Sequence, residues 1–215
     1  MRMRPAEVNR QILRWSYSVL MFLTVMNSLL LLDAHADCSR EVQHFAARPN
    51  ELNYATLINP ATREIRDECW SEINHERTWT KGGRLKYVSK DVLEKVLGKV
   101  SSANKWAALV IASNLRKLDG GDLEDSLIAL GASINKSPSL LLSLFRDGVI
   151  NKIELESCCK STPLDLPENA RAHLSYLEKR KRSVSSVKNA NLQSAKHLAL
   201  IYIEQALQET RNTWP

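Results

Sequence analysis

The chain is predicted to form a single all-α domain, an antiparallel helical bundle preceded by an irregular, disulfide-tethered N-terminal arm. From Ser89 onward, apolar residues recur at helical spacing in one segment after another. Gly and Pro are few, seven of each in 215 residues, and they punctuate the apolar runs. Aromatic residues make up only 6% of the chain. Such a composition favours helices over a many-turned β fold.

The first element is an address. Arg2, Arg4, Arg10 and Arg14 precede the apolar run Val19 to Leu32, broken only by Thr24, Asn27 and Ser28. A basic stretch leading into an apolar one is the layout of an export signal. Ala34 and Ala36 flank His35 in the pattern a signal peptidase accepts, which predicts removal of residues 1–36 and a mature chain starting at Asp37. Cys38 follows Asp37 instead of a small residue, which argues against lipidation. The alternative is an uncleaved inner-membrane anchor, because Trp15 to Leu32 is 18 residues long, close to the lower limit of about 17 for a spanning helix. With the Arg-rich side in the cytoplasm, both readings place the remainder in the bacterial periplasm or outside the cell.

Losing residues 1–36 removes four Arg together with Glu7 and Asp33, which lowers the net charge from +6 to +4. A balance this mild argues against nucleic acid as a partner. The 179 residues left suit one domain with a sizeable core. All four cysteines, Cys38, Cys69, Cys158 and Cys159, lie in this part. In an oxidising compartment an even count predicts disulfides. Joining the adjacent Cys158 and Cys159 would need a strained small ring. Each is therefore expected to reach back to Cys38 or Cys69, stapling the arm to the helical body. The chain has no C-x-x-C motif, which argues against thioredoxin-type chemistry.

Residues 37–88 form the predicted arm, with turn signals at "RPN", "NP" and "KGG" and one helix expected around Pro60 to Glu76. The core domain spans residues 89–215. Ser89 caps a helix carrying Val92, Leu93, Val96, Leu97 and Val100 on one stripe. A second helix carries Trp106, Leu109, Val110, Leu115 and Leu118 and is expected to stop at Gly120 and Gly121. Asp122 is the expected cap of the next, with Asp125 completing a capping box. Ser137 and Pro138 open a further helix that runs to Gly148. After a connector holding Pro163 and Pro167 come a polar, basic helix and a last helix with Leu192, Leu198, Ala199, Ile201, Tyr202, Ala206 and Leu207 on a broad apolar face. Short connections predict antiparallel neighbours. The helix pairs resemble HEAT-type units, although no second copy marks a repeat.

Candidate chemistry is sparse. Ser-x-x-Lys occurs as Ser102 to Lys105 and Ser133 to Lys136, a spacing that lets an amine activate a hydroxyl one helical turn away, but its companion motifs S-D-N and K-T-G are missing. Asp119 to Asp125 gathers carboxylates around glycines without the oxygen spacing of a calcium loop. His44, His75, His173 and His197 are scattered, with no metal-ligand pair at i, i+4. No cofactor or metal is expected.

These readings predict a non-enzymatic protein-interaction module, such as an immunity protein or inhibitor. Its expected partner is an envelope protein or an anionic envelope component. The expected contact residues are Trp70 and Trp79 in the arm, or Lys179, Arg180, Lys181 and Arg182, the densest charge in the chain. The alternative is a small cell-envelope enzyme with a cleft around His75 and Glu76.

Overall fold

A computed structural model describes residues 38–74 and 91–214. The first helix, α1 (residues 38–47), buries Cys38, Val42, Phe45 and Ala46, a stripe at i, i+4, i+7 and i+8. Asn50 caps α2 (Glu51–Leu57) by accepting the Asn53 N–H. An isolated antiparallel bridge between Ile58 and Ile65 closes the turn into α3 (Asp67–Asn74), which buries Cys69, Trp70 and Ile73.

The arm, in which one helix was expected around Pro60 to Glu76, thus holds three helices among its described residues, of which α3 falls within that expected span. Each is short, and Pro49, Asn50 and Pro60 break the pattern before a period can establish itself. Tertiary contacts supply what length does not. Arg66 pairs with Glu41 and also donates to the Thr56 carbonyl, tying the three helices together. Cys38 is bonded to Cys69, with Cα atoms 5.3 Å apart. Closing this 31-residue separation stabilises by roughly 3–4 kcal/mol on the loop-entropy estimate.

This pairing corrects the expected one. Cys158 and Cys159 are buried free thiols. The short turn between α2 and α3 brings α3 back against α1, so Cys38 finds its partner within the arm instead of in the helical body. Other contacts fasten the arm to that body: Asn104 donates to the Pro49 carbonyl at 3.0 Å, the Tyr54 and Trp106 rings lie 5.1 Å apart, and Lys117 pairs with Asp67. Their buried side chains belong to one continuous core.

In the body, α4 (Asp91–Ser101) buries Val92, Leu93, Val96 and Val100 as its stripe predicts. Asn104 opens α5 (Lys105–Asn114) by accepting the Trp106 and Ala107 N–H groups. This helix ends at Asn114 and tightens into a 3₁₀ turn, Leu115–Lys117. Gly120 then opens α6 (Gly120–Ser133) and does not close α5, and Asp119, not Asp122, stands at the N-cap. Gly120 has φ +47, which L side chains rarely adopt and which re-aims the chain between the two helices. Ser137 and Pro138 start α7 (Pro138–Arg146) as expected. Asn151 and Glu154 form a reciprocal capping box on α8 (Lys152–Lys160). Asn169 caps α9 (Ala170–Ser185), and a 3₁₀ turn, Ala190–Leu192, leads into α10 (Gln193–Thr213).

Alternate helices stack on one another. The sequence α4, α6, α8, α10 makes one layer, each member packed on the next, while α5, α7 and α9 make a second across it. This alternation is what successive helix pairs produce when stacked side by side. Among the described residues there is no strand, and no single helix is long and apolar enough to cross a membrane. The candidate anchor Trp15 to Leu32 lies outside the described residues.

Candidate functional site

Two neighbouring helices of the first layer, α6 and α8, leave a groove between them. Leu123, Glu124, Leu127 and Ile128 line it from α6, on one helical face. Ser157 and Lys160 line it from the last turn of α8, Ser161 from its C-cap, and Thr162 and Leu164 from the connector. The open volume is about 460 Å³, with Gly120 at the N-terminal end of the α6 wall. Its lining mixes the apolar side chains of Leu123, Leu127, Ile128 and Leu164 with polar ones, and Leu164 is 75% exposed. Thr162 Oγ1 lies 3.4 Å from His173 Nδ1, and the His173 ring packs on Trp214 with centroids 5.0 Å apart.

The rim is charged. Lys160 Nζ contacts Glu209 at 2.8 Å and Glu156 at 3.1 Å. The hydrogen bond it donates to Glu209, helped by Glu156, holds the ammonium above its ordinary pKa. Glu124 stands exposed on the opposite wall.

Beneath the connector lies Arg180, fully buried. Its Nη1 donates to the carbonyls of Cys158 (3.0 Å), Cys159 (2.8 Å) and Ser161 (2.6 Å), and its Nη2 lies 3.2 Å from the Tyr176 hydroxyl. These carbonyls stand at the C-terminal end of α8, where no intrahelical donor remains and the helix dipole is negative. The residue four after Cys159 is Pro163, which has no N–H to offer. Gly131 of α6 lets this assembly close up: a Cβ there would sit 2.4 Å from the Cys158 carbonyl oxygen and 2.4 Å from Ser161 Oγ. Arg180 is therefore a strut that fixes the end of α8 and the wall of the groove.

That placement corrects an expectation from sequence, since a buried guanidinium cannot meet a partner. Trp70 is likewise 5% exposed and belongs to the core. Lys181 is half-buried and paired with Glu204 at 2.6 Å. Lys179 and Arg182 do stand exposed on α9. His75, Glu76 and Trp79 lie outside the described residues. The signal for Arg180 was present in the sequence: it sits between Leu177 and Val184 at i+3 and i+7, on the buried stripe of α9.

Comparison of the chain with protein-family models, with curated proteins and with solved structures yields no match.

The remaining motifs resolve into structure. Ser133 Oγ donates to the Leu130 carbonyl and Ser102 Oγ to the Gly98 carbonyl, so both hydroxyls turn back onto their own helices. Asp119 to Asp125 is a cap followed by helix, not a calcium loop. Burial pushes the Cys158 thiol pKa up, and raises that of Cys159 to about 12, despite the opposing Arg180 charge. Thiols held neutral in this way are poor nucleophiles. Cys38, Cys69 and Glu41 are close enough together to suggest a metal site. Their sulfurs are bonded to each other and Glu41 is paired with Arg66, which leaves no thiolate to offer.

Proposed function

We propose that this chain is an exported bacterial protein that acts by binding another protein of the cell envelope, in the manner of an immunity protein or inhibitor. The observation that supports this best is the groove between α6 and α8, which combines apolar lining side chains, an exposed Leu164 and the charged Glu124 and Lys160. Exposed apolar surface framed by polar groups is a common mark of a protein contact. The hydroxyls of both Ser-x-x-Lys motifs turn back onto their own helices and both free thiols are buried, which favours recognition over covalent chemistry at these residues. Export is supported by the N-terminal sequence pattern, and a disulfide-stapled arm suits an oxidising compartment.

The test is site-specific photocrosslinking in the producing cells, with a benzophenone side chain at Leu164 and, as a control, at Leu52 on α2, which is also 75% exposed. The reading expects one envelope protein captured from position 164 and not from position 52. Absence of any adduct specific to position 164 would overturn it.

A further inference from the structure

We propose that the outward face of α9 docks onto a lipid membrane rich in anionic phosphate headgroups. Arg171, Ser175, Lys179, Arg182 and Ser186 are all exposed and recur at i, i+4, i+8, i+11 and i+15, which places them within an arc of about 80° on the helix. From Arg171 to Arg182 this stripe runs for about 16 Å at 1.5 Å per residue. None of the side chains lining the α6–α8 groove takes part.

Positive charge is concentrated here. Between Ala170 and Lys188 the only carboxylate is Glu178, and Arg211 engages it at 3.5 Å. The cations outside the core in the same stretch are Arg171, Lys179, Lys181, Arg182 and Lys188. Among the described residues only Lys181 of these five has a carboxylate partner, Glu204. The pairs Arg211–Glu178 and Lys181–Glu204 thus neutralise the flank that meets α10 and leave the stripe itself uncompensated. The other helix packed on α9 is α7, which carries no carboxylate. Asp165 and Glu168 are exposed in the connector ahead of Arg171. Lys179 stands about 13 Å along the axis from the first residue of α9, farther than the screening length of about 8 Å at physiological salt.

The shape of the stripe selects a lipid surface among anionic partners. It is a convex ridge whose non-cationic members are two serines, so no other long side chain on it keeps the cations from a plane. A protein partner needs apolar or aromatic anchors at the centre of its contact, and the stripe has none. Single-stranded nucleic acid is held in grooves with aromatic platforms, which are equally missing from this face. Lipid headgroups need neither, because they move laterally and gather beneath cations at any spacing. Clusters of four or more Lys and Arg at a helix surface bind anionic membranes in this way, each cation strengthening the attachment by about fivefold.

The probe is a set of vesicles of phosphatidylglycerol and phosphatidylcholine in equal parts, with phosphatidylcholine vesicles as the control. The protein purified from the producing cells carries a benzophenone side chain at Ser175, on the stripe, and lipid adducts are read by intact mass after irradiation. Adducts are expected with the anionic vesicles and not with the neutral ones. Raising the salt from about 0.1 M to 1 M should abolish them, since the screening length falls from about 10 Å to 3 Å. At limiting lipid, Lys179→Gln/Arg182→Gln should lower the yield about twenty-fivefold. The matched variant Lys95→Gln/Lys99→Gln, which removes the same charge from exposed positions on α4, should leave it unchanged. All four side chains are exposed and without a carboxylate partner, so both variants retain the fold.

Equal yields from anionic and neutral vesicles, or equal effects of the two variants, would overturn the proposal. So would capture of a protein from position 175 in the producing cells without any lipid adduct, which would assign the stripe to a protein partner. The result at position 164 bears only on the groove, so either surface can fail without the other.

Discussion

Replacing Arg180 by Met tests whether this buried cation holds the end of α8. Met fills a similar volume without a donor, so the perturbation removes hydrogen bonds more than packing. Three carbonyls lose the guanidinium: those of Cys158, Cys159 and Ser161. The Cys158 oxygen keeps a second donor in the Ser161 hydroxyl at 3.1 Å, which leaves two carbonyls orphaned. At about 1–3 kcal/mol for each buried unsatisfied group, the gross loss is about 2–6 kcal/mol. Part of this is returned, because the variant no longer buries a cation whose Nε has no partner. A net destabilisation of about 3 kcal/mol is expected, equivalent to a fall in melting temperature of roughly 6–12 °C for a domain of this size. Urea denaturation followed by circular dichroism, with an unchanged m value, would measure it. Arg180→Lys should recover only part of the loss, since one ammonium cannot copy the planar fork. If Arg180→Met lies within about 0.5 kcal/mol of the parent, desolvation cancels the carbonyl bonds and the strut argument is wrong.

Two glycines in helices should respond oppositely to Ala. Gly131→Ala places a Cβ 2.4 Å from a backbone carbonyl and should destabilise by about 1–3 kcal/mol, whereas Gly98→Ala meets nothing within 4 Å and should stabilise by about 0.5–1 kcal/mol; matched denaturation curves give both signs. Cys158 and Cys159 should resist iodoacetamide in the native protein and take up two labels in denaturant, as read by intact mass, because both are buried; labelling at the native rate of an exposed thiol would refute their placement. The same burial sets a pH dependence. The folded thiols ionise above the ordinary value of 9.0, Cys159 only near 12, so the unfolded chain gives up their protons first. Stability is then full below pH 9 and falls as pH rises above it, by at most about 1.4 kcal/mol per pH unit for each thiol. A Cys158→Ala/Cys159→Ala variant should lose less stability over this range. Reducing Cys38–Cys69 should lower stability by roughly 3–4 kcal/mol, without loosening any link between the arm and α8, since the bond joins α1 to α3.

Most helices from α4 onward were legible because their apolar period repeats and because Pro138 marks a start that no tertiary contact revises, but the nine-residue α8 was not read. The arm was less legible: the helix expected around Pro60 to Glu76 is present as the shorter α3, whereas α1 and the seven-residue α2 were not read. Gly120 misled in a specific way. A glycine after an apolar run reads as a helix stop, yet its left-handed φ serves the start of α6. The capping box at Asn151 and Glu154 was written in the sequence as N-x-x-E and went unread beside the more conspicuous Ser137-Pro138.

The sequence by itself determined that this protein is all helical and roughly where its main helices lie, because helical period and backbone punctuation are local properties of the chain. Only the tertiary structure decided which cysteines pair, which member of Lys179 to Arg182 turns inward, and where apolar surface stays uncovered. Those depend on which helices become neighbours. The basic run reads as one surface patch, but α9 packs on α10 and reaches the end of α8, so a rotation of 100° per residue sends Arg180 to three waiting carbonyls while Lys179 and Arg182 face out. The groove arises in the same way: Leu164 is far along the chain from Leu123 and Leu127, and only the packing of α6 on α8 brings it to them.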